Sequence, residues 1–393
     1  MLATLLTAVL MLLALAGCGY LVMAIVLVGR FAARPVPLLA AGASLSGVTV
    51  LKPLHGAEPG LYNNLASLCR QTFAGSLQIV CGVADPADPA VAVVQRLIAD
   101  HPGLAIDLVI NPARHGTNPK ISNLINMVEK IRHDLVVLSD SDISLRETDL
   151  AQVVAALEQP GVGAVTCLYG GAGVVGVWSD LCALGLTAHF LPNAVVGIAL
   201  GRATPCFGAL IALRCDTLQA IGGFERFADI LADDYAIGAA VRAHGKSVAV
   251  PPLAVLHRCD EASPRALWGH ELRWARTVRG LDPAGWLGSG VTHPLAFAVL
   301  AIAAGGGRPA FGLVIAAIFC RIVLALRVSV AFALPVPALS LVLLRDLLTF
   351  GVFVASFLGR GVTWKNQDYE MKADGTFTEN AADQNAAKGE SVR

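Results

Sequence analysis

Charge is scarce in this chain: Asp, Glu, Lys and Arg together supply 15% of its 393 residues, against a hydrophobic share of 55%. That balance, with a mean hydropathy of +0.64, excludes an ordinary water-soluble enzyme and points to a membrane protein carrying a globular domain. Basic excess is absent as well. The formal net charge is zero and no basic tract interleaves with aromatics, which excludes a nucleic-acid partner. Nine cysteines (18, 69, 81, 167, 182, 206, 215, 259 and 320) make no CxxC pair and no Cys/His cluster along the sequence. They read as reduced thiols facing a cytosol, not as a disulfide framework or a zinc motif.

What is abundant is apolar sequence. Leu2 to Val28 carries no charged side chain and ends in Gly29-Arg30, with Arg34 beyond. Residues 1–30 therefore form an N-terminal transmembrane anchor, and the positive charge after it puts the next domain in the cytoplasm. Leu15-Ala16-Gly17-Cys18 resembles a lipoprotein cleavage box, yet no Lys or Arg precedes the apolar run and the run continues past Cys18, which favours a retained helix. Residues 31–46, rich in Pro, Ala, Gly and Ser, read as a linker. Residues 286–360 return to the bilayer, with spans expected at Val291 to Ala304, Ala310 to Leu326 and Ala338 to Leu358. Arg345 and Asp346 fall inside the last span and are expected to pair with each other, since an isolated charge there is costly. The tail, 361–393, is polar and expected to be largely disordered.

Between the membrane regions, residues 47–285 alternate short apolar runs with helical patterns. Strands are predicted at Val48–Leu51, Leu77–Val83, Ala105–Ile110, Leu135–Leu138 and Val162–Cys167, and helices at Leu61–Arg70, Val91–Asp100, Ile121–Arg132 and Asp149–Glu158. This is the signature of a mostly parallel α/β sheet built from βαβ units. Leu181 to Leu213 is apolar enough to suggest a span, but His189, Pro192, Asn193, Arg202 and Pro205 interrupt it. A single crossing there would also separate the two acidic motifs described next. Segment 181–213 is read instead as lying on the membrane surface and guiding a lipid acceptor, with His189 and Cys206 either touching that acceptor or simply packing.

The stretch Val136-Val137-Leu138-Ser139-Asp140-Ser141-Asp142 organises the domain. A buried strand followed at once by two carboxylates spaced i, i+2 puts a DxD pair where ligands sit in open α/β sheets, and such a pair suits Mg²⁺ or Mn²⁺. A solvated acidic loop would carry the same residues. Lys120, in Asn118-Pro119-Lys120, falls in a helix's first turn, where ammonium and free N–H groups favour a phosphate. Asp85, after the second strand, could accept hydrogen bonds from a base or ribose or could merely shape a turn, a role that Asp88 before Pro89 fits better. Asp233-Asp234 opens a further helix; the pair could only cap it, but transfer to a hydroxyl needs a base, and Asp234 is the candidate. His270-Glu271-Leu272-Arg273-Trp274 sits on an amphipathic helix, where Arg273 can fork onto phosphate and Trp274 suits an acceptor or the bilayer interface.

Taken together, Leu51-Lys52-Pro53-Leu54-His55-Gly56 with Asn63-Asn64-Leu65, Asn118-Pro119-Lys120 with Asn123-Leu124, Asp140-Ser141, and Asp233-Asp234-Tyr235 followed by Arg273-Trp274 resemble the ceramide glucosyltransferase group of family 2 glycosyltransferases. The resemblance covers roughly residues 48 to 280. It implies a GT-A fold, inversion at the anomeric carbon and a UDP-sugar donor. It further implies a base or ribose contact from Asp85, metal and diphosphate binding at Asp140 and Asp234 as base; the reading of the residues adds Lys52 and Lys120 at the donor, Asp142 as a second metal ligand, and acceptor or diphosphate contacts from His189, Cys206, Asp233, His270, Arg273 and Trp274. Two departures stand out. His270 occupies the first position of a (Q/R)xxRW motif, and Asp142 completes a fuller DxD. The second shifts the resemblance toward bacterial hopanoid-associated glycosyltransferases, which implies N-acetylglucosamine transfer to a hopanoid polyol at the cytoplasmic face of the inner membrane. Glucosylation of ceramide and processive polysaccharide synthesis are the competing enzymatic readings, and a transporter or receptor the non-enzymatic one.

Overall fold

The computed structural model describes residues 1–36 and 47–359, together with the backbone of three short strands at Gly361–Trp364, Gln367–Met371 and Phe377–Glu379. In chain order come α1 (Leu2–Ala32), β1 (Val48–Pro53), α2 (Leu61–Cys69), β2 (Leu77–Val83), α3 (Ala90–Asp100), β3 (Ala105–Ile110) and α4 (Pro119–Met127). Next are β4 (Leu135–Ser139), β5 (Ile143–Ser144), α5 (Asp149–Leu157), β6 (Val162–Thr166), β7 (Leu168–Gly173), α6 (Val177–Gly185), α7 (Leu191–Ala199) and β8 (Leu210–Arg214). Then follow α8 (Cys215–Ala220), α9 (Asp233–Ala243), β9 (Ser247–Ala249), β10 (Ala254–Cys259), α10 (Pro264–Leu281), α11 (Pro283–Gly288), α12 (Pro294–Ala303), α13 (Gly307–Phe332) and α14 (Val342–Ser356). Two units share them: a sheet unit of Phe31–Val174 and Gly197–Asp260, and a helical unit of Met1–Arg30, Val175–Val196 and Glu261–Arg393.

The sheet unit is built on seven strands in the order β3-β2-β1-β4-β8-β6-β9. Pairs β3·β2, β2·β1, β1·β4 and β6·β9 are parallel; β8 runs antiparallel to both its neighbours. Alternate side chains leave the central strands on opposite faces, which is why those strands are mostly apolar, with Thr49, Lys52 and Gln78 as buried polar exceptions. Val50, Ile79 and Val137 pack with Leu65, Val94 and Leu150 on one face, while Leu51, Val80 and Val136 pack with Ile121, Leu124 and Ile237 on the other. Each such side chain, once fully buried, contributes about 1.5–3 kcal/mol of transfer free energy. A smaller sheet, β5-β10-β7, carries the turn after β4.

The stretch expected on the membrane surface divides differently. Val177–Ala199 is one apolar helical run, α6 and α7 joined through a π-helical turn at Leu186–Phe190, and 72% of its most apolar window is buried inside the protein. Leu210–Arg214 is β8, an interior strand of the sheet. A strand buried on both faces is as apolar as a membrane segment, and only its pairing reveals it.

In the helical unit, Leu2–Ala32, Val177–Ala199, Gly307–Phe332 and Leu339–Ser356 are long and apolar enough to cross a membrane. The span expected at Val291 to Ala304 falls on a bent pair, Pro283–Thr292 and Pro294–Ala303, at 65° to each other. Pro294 starts the second piece, where a proline lacking its N–H is tolerated and the preceding turn is not continued. Arg345 and Asp346 do not pair with each other. Successive residues on a helix point about 100° apart, so each finds its partner on another element. Arg345 forks onto Glu271 and donates to Leu181 O at 3.1 Å. Asp346 takes Arg321 Nε at 3.0 Å and His189 Nε2 at 2.8 Å, all three groups buried. Gly185 makes room for this: a Cβ there would stand 2.6 Å from the Arg345 guanidinium carbon. Within the expected linker, α1 runs on to Ala32, and residues 37–46 lie outside the described residues. Within the tail expected to be disordered, the three short strands form an antiparallel sheet, and its other residues lie outside the described ones.

Candidate active site

The chain leaves β4 into a turn that is held from below. Asp140 N donates to Ala209 O at 3.3 Å and Ile143 N to Asp140 O at 3.2 Å, which folds the DxD stretch back on itself. Lys52, at the end of β1 and fully buried, donates from Nζ to Asp140 O at 2.6 Å and Ile143 O at 3.0 Å. Burial pushes its pKa down to about 8, against the pull of Asp142 and Asp140. Lys52 was expected to touch the donor; its ammonium is instead engaged with the backbone of the turn. Asn64 Nδ2 adds a bond to Ser141 O at 3.1 Å, and Ser141 Oγ donates to Glu58 at 2.9 Å. With its backbone so braced, the turn leaves the Asp140 and Asp142 side chains 34% and 30% exposed.

Lys120 faces this turn from the first turn of α4. Asn118 caps the helix, accepting from Lys120 N at 2.9 Å and Ile121 N at 3.2 Å, while its Nδ2 donates to Ile230 O at 2.8 Å. Pro119 at N1 fixes the entry. The cap thus ties α4 to the loop that precedes α9. Lys120 Nζ then lies 2.6 Å from Asp140 Oδ1 and 3.8 Å from Asp233 Oδ2. Burial alone would lower the Lys120 pKa; the facing Asp140 and Asp233 outweigh it and hold the ammonium charged, above its usual range. Asn118→Ala is expected to cost about 1 kcal/mol of stability and to weaken binding of inorganic pyrophosphate at Lys120, read by denaturant unfolding and by calorimetry. Unchanged values for both would mean the cap does not position Lys120.

Asp234 follows Asp233 at the start of α9, half-buried, with Oδ1 accepting from Tyr235 N at 2.7 Å. Gly208 gives it space, since a Cβ at 208 would come within 3.2 Å of Oδ2. Burial first, and the like charge of Asp233 second, push the Asp234 pKa up to about 6. Burial and the neighbouring Asp142 and Asp233 also raise Asp140, with Lys120 opposing. Cys206 is buried against Gly238 of α9, and burial raises its thiol pKa. Asp85 stays exposed in the turn after β2, its Oδ1 accepting from Ala87 N at 2.8 Å. The helix-start role belongs to Asp88, which accepts from Gly56 N at 3.0 Å and Ala90 N at 2.8 Å.

One residue escaped the sequence reading. His257 on β10 brings Nε2 to 3.1 Å from Asp142 Oδ2, and the carboxylate outweighs burial to hold the imidazole pKa well above its usual value. No motif marks it; only the antiparallel pairing His257↔Ile143 carries it to the DxD turn. The sheet unit therefore gathers Asp140, Asp142, Lys120, Asp233 and Asp234, with Asp85 at its own strand end. Lys52 and Cys206 lie in the same unit, and the remaining expected contacts, His189, His270, Arg273 and Trp274, belong to the helical unit. His189 is bound to Asp346, and His270 Nδ1 lies 2.6 Å from Glu261 and stacks edge-on to Trp274 with ring centres 4.2 Å apart. Arg273 and Trp274 share α10 with it.

A mostly parallel sheet with an acidic turn beyond β4 and a lysine set against it is the architecture of GT-A-type glycosyltransferases. The chain belongs to glycosyl transferase family 21, whose pattern matches residues 9–377. It is 25% identical over 243 residues to ceramide glucosyltransferase 1 of Caenorhabditis elegans, covering 61% of this chain and 51% of that one. The ceramide glucosyltransferase of Gibberella zeae is 30% identical over 162 residues, 37% of this chain and 31% of that one. The chain thus aligns with about half or less of the length of these curated relatives. In fold it is similar to a mannosyltransferase from Pyrobaculum calidifontis in complex with GDP-Man and Mn²⁺, at a TM-score of 0.51 and 22% identity, covering 90% of this chain and 98% of that one.

Proposed function

We propose that this chain is a membrane-embedded inverting glycosyltransferase that moves a sugar from a UDP donor to a primary hydroxyl on a lipid. The observation that carries the proposal is the cluster in which Lys120 stands 2.6 Å from Asp140 while Asp234, with its pKa raised to about 6, opens the adjoining α9. A group that binds phosphate and a group that takes a proton are thereby held on one rigid frame.

The donor set fits a hard divalent cation. Asp140 and Asp142 are oxygen ligands on one turn, and Asp142 is among the charges that raise the Asp140 pKa, so a cation between them relieves a repulsion that the fold has built in. Bound there, Mg²⁺ or Mn²⁺ would supply charge neutralisation to a diphosphate leaving group. Lys120 adds a fixed positive charge to that diphosphate and exchanges Asp140 for it when the donor enters. Lys52 keeps the turn from moving during that exchange. Asp85 accepts hydrogen bonds from the base or ribose. Asp234 takes the acceptor proton as the new C–O bond forms, and its raised pKa suits it to do so near neutrality. Arg273 and Trp274 on α10 serve diphosphate and acceptor, while Cys206 packs against Gly238 of α9 and His189 is held by Asp346. The positive residues Arg30 and Arg34 after the first apolar run support a cytoplasmic position for the sheet unit.

For the acceptor, the fuller DxD supports a hopanoid polyol receiving N-acetylglucosamine. The names of the relatives support ceramide receiving glucose as the second reading. The deciding measurement is a mass spectrum of lipids from cells making hopanoids or supplied with ceramide, with and without the chain. A new N-acetylhexosaminyl hopanoid is the expected product. Hexosylceramide would replace that assignment by the second reading, a polymer would establish a processive synthase, and no glycoconjugate from any UDP-sugar would sink the proposal.

A further inference from the structure

The nine cysteines form no metal-binding pattern in sequence, yet in space one of them joins two other ligand types inside the helical unit. Cys182 on α6, Glu261 just before α10 and His270 on α10 offer a thiol, a carboxylate and an imidazole whose candidate ligand atoms all lie within 4.8 Å of one another. Among the described residues, no other group of three His, Cys, Asp or Glu side chains approaches this closely. Cys182 and Glu261 are 2% and 7% exposed, and His270 is partly covered. His270 Nδ1 and Glu261 Oε1 share a hydrogen bond at 2.6 Å, and the Cys182 thiol donates to the same carboxylate. Oε2 of Glu261 is buried with no hydrogen-bond partner. An anionic oxygen left bare in this way is costly unless something positive reaches it.

We infer that Cys182, Glu261 and His270 form a binding site for Zn²⁺, separate from the acidic turn of the sheet unit, that clamps α6 to α10. The charge balance favours it. A thiolate and a carboxylate bring two negative charges, and a divalent cation with a neutral imidazole makes the buried group neutral. The nearby Arg345 does not upset this balance, because Glu271 is paired with it. Softness selects the metal: sulfur and imidazole favour zinc over the hard cations suited to two aspartates. The geometry is near that of a tetrahedral site, whose ligand atoms stand roughly 3.3–3.7 Å apart, so binding releases the Cys182 thiol proton to solvent, frees His270 Nδ1 of the proton it shares with Glu261, and moves the side chains by about an ångström. Three protein ligands leave a fourth position for water. In sequence terms, His270 stands where the (Q/R)xxRW motif has Gln or Arg, neither of which is a good zinc ligand; the clamp lies one helical turn before Arg273 and Trp274 and fixes the helix that presents them.

The test uses the full chain purified in detergent with Asp140→Asn and Asp142→Asn, which removes the other candidate cation site. Elemental analysis after equilibration with zinc and removal of excess is expected to give about one zinc per chain. Cys182→Ser and Glu261→Gln are each expected to reduce that at least tenfold. Cobalt added to the metal-stripped chain reports independently of these variants and of activity: a thiolate-to-cobalt charge-transfer band is expected in the near ultraviolet. Chelation should lower the melting temperature of the parent chain and leave Cys182→Ser unmoved. Zinc below a tenth per chain, zinc that persists in both variants, or cobalt bound without the thiolate band would each overturn the inference.

Discussion

Asp234→Asn is expected to lower turnover by about two to four decades while leaving sugar-donor affinity close to that of the parent chain. In transition-state terms this is about 3–5 kcal/mol, the stabilisation that a positioned base supplies to an attacking hydroxyl. The pH dependence follows from the same environment. Burial and the adjacent Asp233 hold the Asp234 pKa at about 6, well above the usual carboxylate value. A base works in its ionised form, so kcat/KM should rise about tenfold per unit below pH 6 and level off above it. Asp233→Asn removes the largest charge contribution to the raised pKa and should move that acidic limb to lower pH. Near-full activity in folded Asp234→Asn would transfer the role to another group. A limb that stays near pH 6 in Asp234→Asn would do the same.

Much of this arrangement is legible in the sequence because it is local. The β2 and β3 strands are apolar or alternating runs with turn residues at their ends, and their boundaries match the reading to the residue. The sequence places Lys120 in the first turn of a helix, although α4 starts at Pro119 under its Asn118 cap, two residues before the start expected at Ile121. The acidic turn follows from a buried strand that ends in two aspartates. What stayed illegible depends on contacts between distant segments. The interior strand β8 looks like membrane sequence until it pairs with β4 and β6. His257 is one histidine among nine until β10 meets β5. Lys52 has the composition of a ligand-binding lysine, and only the turn built over it reveals two backbone carbonyls as its partners. Arg345 and Asp346 are adjacent in sequence and divergent on the helix, so their partners Glu271, Arg321 and His189 depend on how other helices pack.

Asp140→Asn and Lys120→Met are each expected to reduce turnover by about 10²–10³-fold, the range seen when one preorganised charge at a developing anion is removed. The double variant decides how they act. Lys120 Nζ and Asp140 Oδ1 are 2.6 Å apart, and each is a leading influence on the other's charge state. Were they two independent contributors, the double variant would lose the product of the two factors. As members of one unit, where Asp140 orients the lysine and shares the diphosphate with it, they should lose little more together than either loses alone. The single variants also separate by their response to cations. Asp140→Asn deletes a hard oxygen ligand, so its activity should demand a higher Mn²⁺ concentration than the parent, whereas Lys120→Met removes a competitor for that ligand and should demand less. Measuring turnover against Mn²⁺ for all four chains tests both halves. A multiplicative double variant would show that the ion pair is incidental to catalysis. A Mn²⁺ requirement unmoved by Asp140→Asn would place the cation away from the acidic turn.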